Sequence, residues 1–261
     1  MSGQPNSLQR FRTVVAAALL ALESRRQEIN DLNVFPVADG DTGDNMAKTL
    51  EGVVAELDRL IERQGDGTID SVGRAEIVDA VTNAALLGGR GNSGVILSQL
   101  IHGAAEVMID DDKHVDPVML AQAMNRASEQ ARKSVTDPRE GTILTVIDDM
   151  AKKLLSQVEG GVEPLPDDVS EEAQNAVLAE ALESAVSAGD ESVSRGPDLL
   201  PELNEFGVTA DAGGYGLVVI FAGIVAALKS GEAPEVAHHS APREKPRETS
   251  HASTTFQYCV N

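Results

Sequence analysis

Leu32-Asn33-Val34-Phe35-Pro36-Val37-Ala38-Asp39-Gly40-Asp41-Thr42-Gly43-Asp44-Asn45-Met46 stands between two stretches of helical periodicity and reads as a loop feeding a helix N-terminus. Asp39, Asp41 and Asp44 fall within six residues, separated by Gly40 and Gly43, which let the backbone turn sharply. Carboxylates this close repel one another unless a cation lies between them, and a hard, oxygen-preferring ion such as Mg2+ suits that place. An isolated Asp-Gly-Asp is more simply a helix cap. An EF-hand fails on spacing: counted from Asp39, the position that needs glycine is Asp44 and the one that needs a bidentate acid is Leu50. Mg2+ keeps water and phosphate oxygens as ligands and so needs fewer protein carboxylates. The expectation is that Asp39 and Asp41 hold metal and that the metal holds phosphate.

Working outward, helical spacing dominates. Leu8, Phe11, Val15 and Leu19 mark a first helix of about six turns, and Met46, Leu50, Val53, Leu57 and Leu60 mark a second with Asp41 or Thr42 as its cap. A third is predicted over 71–87, and a fourth follows Gly88–Gly94 through Val95, Leu97 and Leu100. Asp116-Pro117 is a start signal for a fifth, Thr142 opens a sixth and Ser170 caps a seventh. A short helix near Leu199–Leu203 precedes a last, apolar one opened by Gly213, Gly214 and Gly216. Strand-like alternation never persists. The fold class predicted is all-α, a closed barrel or bundle of about eight antiparallel helices.

Acidic residues outnumber basic ones 42 to 21, so the chain carries a formal charge of −21 and should repel nucleic acid and anionic membrane. The same field repels ATP, which makes a metal bridge more necessary if a nucleotide binds. One cysteine, Cys259, excludes an internal disulfide framework and fits a reducing compartment. Val14–Leu22 follows Arg10 and Arg12 as a signal peptide's apolar core would, but it continues into Glu23-Ser24-Arg25-Arg26 as a helix. Leu217–Leu228 is too short to span a bilayer and reads as a buried helix, so a cytoplasmic protein without stable membrane insertion is expected. Residues 1–230 form the helical domain, 231–254 read as a disordered linker, and 255–261 turn apolar again as the start of a following, truncated domain. His238, His239 and His251 lie in that linker, and neither His102 nor His114 belongs to a catalytic constellation.

Gly88-Gly89-Arg90-Gly91-Asn92-Ser93-Gly94 lacks the Gly-Lys-Ser/Thr ending and the preceding strand of a Walker A loop. It lies between two helices, so a helix starting at Asn92 or Ser93 offers free N–H groups to a phosphate; a tight interhelical turn is the plainer alternative. Gly141-Thr142, Ser194-Arg195-Gly196-Pro197 and Thr209-Ala210-Asp211-Ala212-Gly213-Gly214 are each weak signals of the same kind. Together they place glycine with Ser, Thr, Asn or Asp at several helix starts, and a shared end would suit a polyphosphate.

Asn33–Met46, Leu87–Gly94, Glu140-Gly141-Thr142 and Asp211–Gly214, in this order and spacing, resemble the ATP-binding domain of dihydroxyacetone kinases, here called the L-subunit-like domain. The Asn-Val-Phe-Pro-Val lead-in, the segment from Arg195 to Leu200, the linker and the Phe256-Gln257-Tyr258-Cys259 restart resemble the branch that forms the N-terminal domain of bacterial fatty acid kinase. The resemblance implies a closed ring of eight antiparallel helices with Mg-ATP at one end. It implies that Asp39 and Asp41 bind two Mg2+ ions, with Asn33 as the nearest further oxygen ligand. Thr42, Gly43, Asn45 and Met46 would contact nucleotide, Gly88, Gly89, Asn92, Ser93 and Gly94 would cradle phosphates, and Thr142, Arg195, Asp211 and Gly213 would complete the pocket. Asp44 departs from the small neutral residue expected there. The implied reaction is phosphoryl transfer from ATP to a fatty acid carboxylate presented by a fatty-acid-binding partner protein. The alternatives are a dihydroxyacetone kinase subunit and a non-catalytic nucleotide- or lipid-binding regulatory module. A homodimer would form through C-terminal regions beyond this chain.

Overall fold

The second predicted helix is α3, Thr42–Gly65, and it shows how the molecule is built. Met46, Leu50, Val53, Leu57 and Leu60 are buried along one stripe while Lys48, Glu51 and Arg59 stay exposed. The computed structural model describes residues 7–65, 72–109, 115–166 and 168–241, and within them regular structure is helical throughout, with no strand. Around α3 stand α1 (Ser7–Ser24), α4 (Arg74–Gly88), α5 (Gly91–Met108), α6 (Pro117–Ser134), α7 (Ile143–Glu159), α8 (Glu171–Ser194) and α11 (Ala212–Lys229). Three short helices fill the connections: α2 (Arg26–Asp31), α9 (Gly196–Leu199) and α10 (Pro201–Phe206).

Each long helix packs on the one before it, and α11 packs back on α1, so eight helices close a ring. Up-and-down connectivity puts the N-termini of α3, α5, α7 and α11 at one end. The chain has few large aromatics, and the interior is filled by Leu, Ile, Val, Met and Ala, with Tyr215 the largest fully buried side chain. A main cluster centred on α7 and α11 fills the ring, and a smaller one of Leu8, Val53, Leu57, Leu60, Ile77 and Val81 seals α1, α3 and α4. The helix starts follow the expected chemistry: Asp116, Ser170 and Asp211 each accept an N–H of their own first turn.

Two expectations change. The first helix ends at Ser24, and α2 follows as a separate turn, because Arg25 breaks the geometry. The span read as linker from 231 begins on the body: Val236 is buried, Ala237 N–H donates to Asp190 Oδ1 at 3.2 Å, and His239 N–H donates to Glu28 Oε1 at 2.8 Å. Its polar composition concealed a strap whose backbone is satisfied by acidic side chains on α2 and α8. Residues 242–261, with His251 and Phe256–Val260, lie outside the described residues, as does His114. The expectation of a buried last helix holds: α11 has the length and hydropathy of a membrane span, yet most of it is buried between α1, α7 and α8, as a core helix is.

Candidate phosphate-binding end of the ring

Four helix starts converge on one cavity of about 350 Å3. Thr42 comes from α3, Asn92 and Ser93 from α5, Thr142 from the start of α7, and Asp211 and Gly213 from the start of α11. The Thr42 and Ser93 hydroxyls lie 3.1 Å apart and join the first two walls. Asp211 joins the other two: its Oδ2 accepts Gly214 N–H at 2.7 Å within α11 and Ile143 N–H at 3.0 Å at the head of α7. Burial pushes the Asp211 carboxyl up to about 6 despite those backbone donors, so this carboxylate is part of the frame. Thr142 donates to Arg139 O at 2.7 Å, and Glu140 steadies the same turn, because Thr145 Oγ1 donates to Glu140 Oε2 and accepts Gly141 N–H.

The opposite wall is apolar. Phe35, Pro36, Val95, Ile96, Val135 and Leu144 form it, with Ser134, Asp137 and Arg139 at its margin. Arg139 pairs with Glu202 at 2.8 Å and lies 5.5 Å from the Phe35 ring centroid. Most of this wall carries no signal in the sequence; Phe35-Pro36 in the lead-in is its one visible sign. The cavity is thus amphipathic: hydroxyls and helix N-termini at one end, a slot for a flat apolar group at the other.

Asp39 and Asp41 stand on the loop leading into Thr42. Partial burial and the adjacent Asp41 carboxylate push the Asp39 carboxyl above its ordinary range. The neighbouring cations are engaged elsewhere: Arg26 with Asp44 and Glu23, Arg139 with Glu202. Two crowded carboxylates with no basic partner among the described residues fit a hard divalent cation. Among the described residues there is no cluster of three or more His, Cys, Asp and Glu, so the remaining ligands would be phosphate, water or carbonyl oxygens. Asn33 uses both side-chain ends inside the loop, accepting Asp41 N–H at 3.1 Å and donating to Val37 O at 3.0 Å. Asp44 points to Arg26 on α2 at 3.4 Å, which accounts for a third acid beside the pair.

The remaining residues of the expected pocket do not line this cavity. Gly43 is the contact point of α2 on α3: a Cβ there would stand 2.6 Å from Arg26 O. Asn45 is buried against Gly91, where a Cβ would come within 2.4 Å of its Nδ2. Met46 is fully buried, and Gly88, Gly89 and Gly94 pack the α4–α5 turn onto itself and onto α3. These residues set how closely the walls approach. Arg195 reaches away, to Asp149 at 2.7 Å, and is largely exposed.

With this geometry in place, comparison with known proteins decides the family. The model of the DAK2 domain matches residues 36–226. The chain belongs to the DAK2 family. Protein YloV of Bacillus subtilis (strain 168) is 35% identical over 229 residues, covering 87% of this chain and 36% of that protein. An uncharacterized protein of Staphylococcus aureus (strain USA300) is 33% identical over 219 residues, covering 84% and 35%. This DAK2 domain therefore spans about a third of the length of the relatives it matches. A crystal structure of the dihydroxyacetone kinase of C. freundii covers 85% of this chain and 34% of that one at 17% identity, with a TM-score of 0.49.

Proposed function

We propose that this DAK2 domain binds ATP at the convergent helix starts and transfers its terminal phosphoryl group to a fatty acid carboxylate, forming an acyl phosphate. The observation that carries nucleotide binding is the amphipathic cavity lined by Thr42, the residue into which the Asp39–Asp41 loop runs. Helix N-termini and the Thr42, Ser93 and Thr142 hydroxyls meet the polyphosphate, and the Phe35–Val95–Val135 side meets the base. Mg2+ held by Asp39 and Asp41 would supply charge neutralisation to the phosphates.

The acceptor is argued from chemistry and from the resemblance of Asn33–Val37 to the fatty acid branch. A carboxylate oxygen attacks the terminal phosphorus, the bond from that phosphorus to the ADP oxygen breaks, and ADP leaves. No proton moves, so no general base is required, and among the described residues no His lines the cavity. The acyl chain arrives on a separate fatty-acid-binding protein.

The second reading, favoured by the family itself, is an ATP-binding subunit acting on dihydroxyacetone held by another protein. ATP consumption by the full-length protein with an acyl-loaded partner, set against dihydroxyacetone, separates the two. Formation of acyl phosphate is the expected result, and turnover of the ketone alone refutes the carboxylate acceptor. Calorimetry with ATP and Mg2+ tests the level beneath: absence of binding overturns the nucleotide site itself.

A further inference from the structure

Residue 41 immediately precedes the first helical residue of α3, where an aspartate ordinarily accepts the N–H groups two and three residues on. Here those are Gly43 and Asp44. Both donate to Asn30 Oδ1 instead, at 2.7 and 3.2 Å. Asn30 belongs to α2, thirteen residues upstream, and is buried beneath the first turn of α3. The absent side chain at Gly43 allows this contact, since a Cβ there would stand 3.0 Å from Asn30 Oδ1 as well as 2.6 Å from Arg26 O. The Asp41 carbonyl still accepts Asn45 N–H at 2.9 Å, so the backbone of residue 41 occupies the cap position although its side chain is not used as the cap.

We propose that Asn30 is a positioning residue for the Asp39–Asp41 pair: it caps α3 from a neighbouring helix and so leaves the Asp41 carboxylate free for a divalent cation. This rests on the reading of Asp39 and Asp41 as metal ligands. A helix start holds its N–H donors whether or not metal is bound. If Asp41 satisfied them, each binding event would have to strip a cap and leave orphan donors behind. A second acceptor from α2 removes that competition. It also explains an amide at position 30: a carboxamide oxygen accepts both N–H groups without adding a further charge to a loop that already holds three carboxylates. Asn33 completes the arrangement by tying Asp41 N–H to Val37 O through its own carboxamide. The two asparagines hold the loop from both sides, and the two aspartates lie side by side on it.

The test is Mn2+ binding in the presence of ADP, followed by electron paramagnetic resonance, for the wild type, Asn30→Leu and Asn30→Asp. Leucine fills the same space without an acceptor, so Asp41 turns to cap the helix and Mn2+ affinity falls about five- to tenfold, the scale of one helix cap. Aspartate keeps the acceptor and adds negative charge near the cation, so its affinity does not fall more than about twofold below the wild type. Unchanged affinity in Asn30→Leu, or an equal loss in Asn30→Asp, overturns the proposal. A wild type that binds no Mn2+ with ADP refutes the metal site itself, a separate outcome. A measurement on the unmutated chain guards against a variant that does not fold. Through-hydrogen-bond coupling between the Gly43 amide nitrogen and the Asn30 carboxamide carbon should persist with and without Mg2+. Coupling to the Asp41 carboxyl carbon instead would sink the idea.

Discussion

Asp41 and Asp211 occupy the same place in their helices, one residue before α3 and α11, and they do opposite work. Asp211 is buried, and one of its oxygens holds the N–H groups of two helices. Asp41 has the Asp39 carboxylate beside it, and the N–H groups it would normally take are bound by Asn30. An aspartate at a helix start is thus frame or ligand according to whether another side chain reaches the donors first. At α3 the donors are satisfied from α2; at α11 they are satisfied by the aspartate itself, which also borrows a donor from α7.

Substitutions should separate the two aspartates cleanly. The largest effect is expected from Asp39→Asn or Asp41→Asn, each lowering Mg-dependent ATP affinity by about a hundredfold or more while unfolding free energy stays within roughly 0.5 kcal/mol. Calorimetry and urea unfolding read the two halves, and a large stability loss would make Asp41 a second frame residue. Asp211→Ala should do the reverse, costing about 2–3 kcal/mol in urea unfolding because the Ile143 and Gly214 N–H groups lose a buried acceptor.

The next effect depends on pH. Burial lifts the Asp211 carboxyl from 3.8 to about 6, so between those values the folded chain keeps a proton that the unfolded chain has lost. Its contribution to stability is complete below the unfolded value and is lost as pH rises through the folded one. Unfolding free energy of the wild type minus that of Asp211→Asn should therefore fall between pH 4 and 7, by about 3 kcal/mol at most. A flat difference would mean that this carboxylate stays charged and solvated. The smallest effect is expected at Thr42→Val, which removes the hydroxyl facing Ser93 and should weaken ATP binding by about three- to tenfold, the scale of one neutral hydrogen bond.

The long helices were legible because each carries its own stripe. Met46–Leu60 can be read as helix without knowing what it packs against, and local caps such as Asp116 and Ser170 announce themselves. The convergence of helix starts on a single cavity was legible only as a condition, since no local pattern says which ends meet. What stayed hidden acts across sequence distance. Asn30 caps a helix thirteen residues away, and the strap at 231–241 hides one buried valine, Val236, among polar residues. Gly43, Asn45 and Met46 belonged to the right segment, but a glycine, an amide and a thioether serve packing as readily as ligand contact. The pairing of Arg195 was hidden for a similar reason: a cation near a helix start suggests phosphate, and its partner Asp149 lies a long way off in the sequence.

The closure of the ring has a bearing on how the chain comes to be folded. Around most of the circle each long helix meets its sequence neighbour, so assembly can proceed as a series of hairpins, each closing a short loop. The seam between α1 and α11 is different, because its two sides are separated by nearly the whole domain. Joining them carries the entropy of the longest loop in the molecule, and only then is α11, the most apolar helix, fully covered. Until that moment the chain exposes its least soluble surface, so the step that completes the circle is also the one that protects it from aggregation.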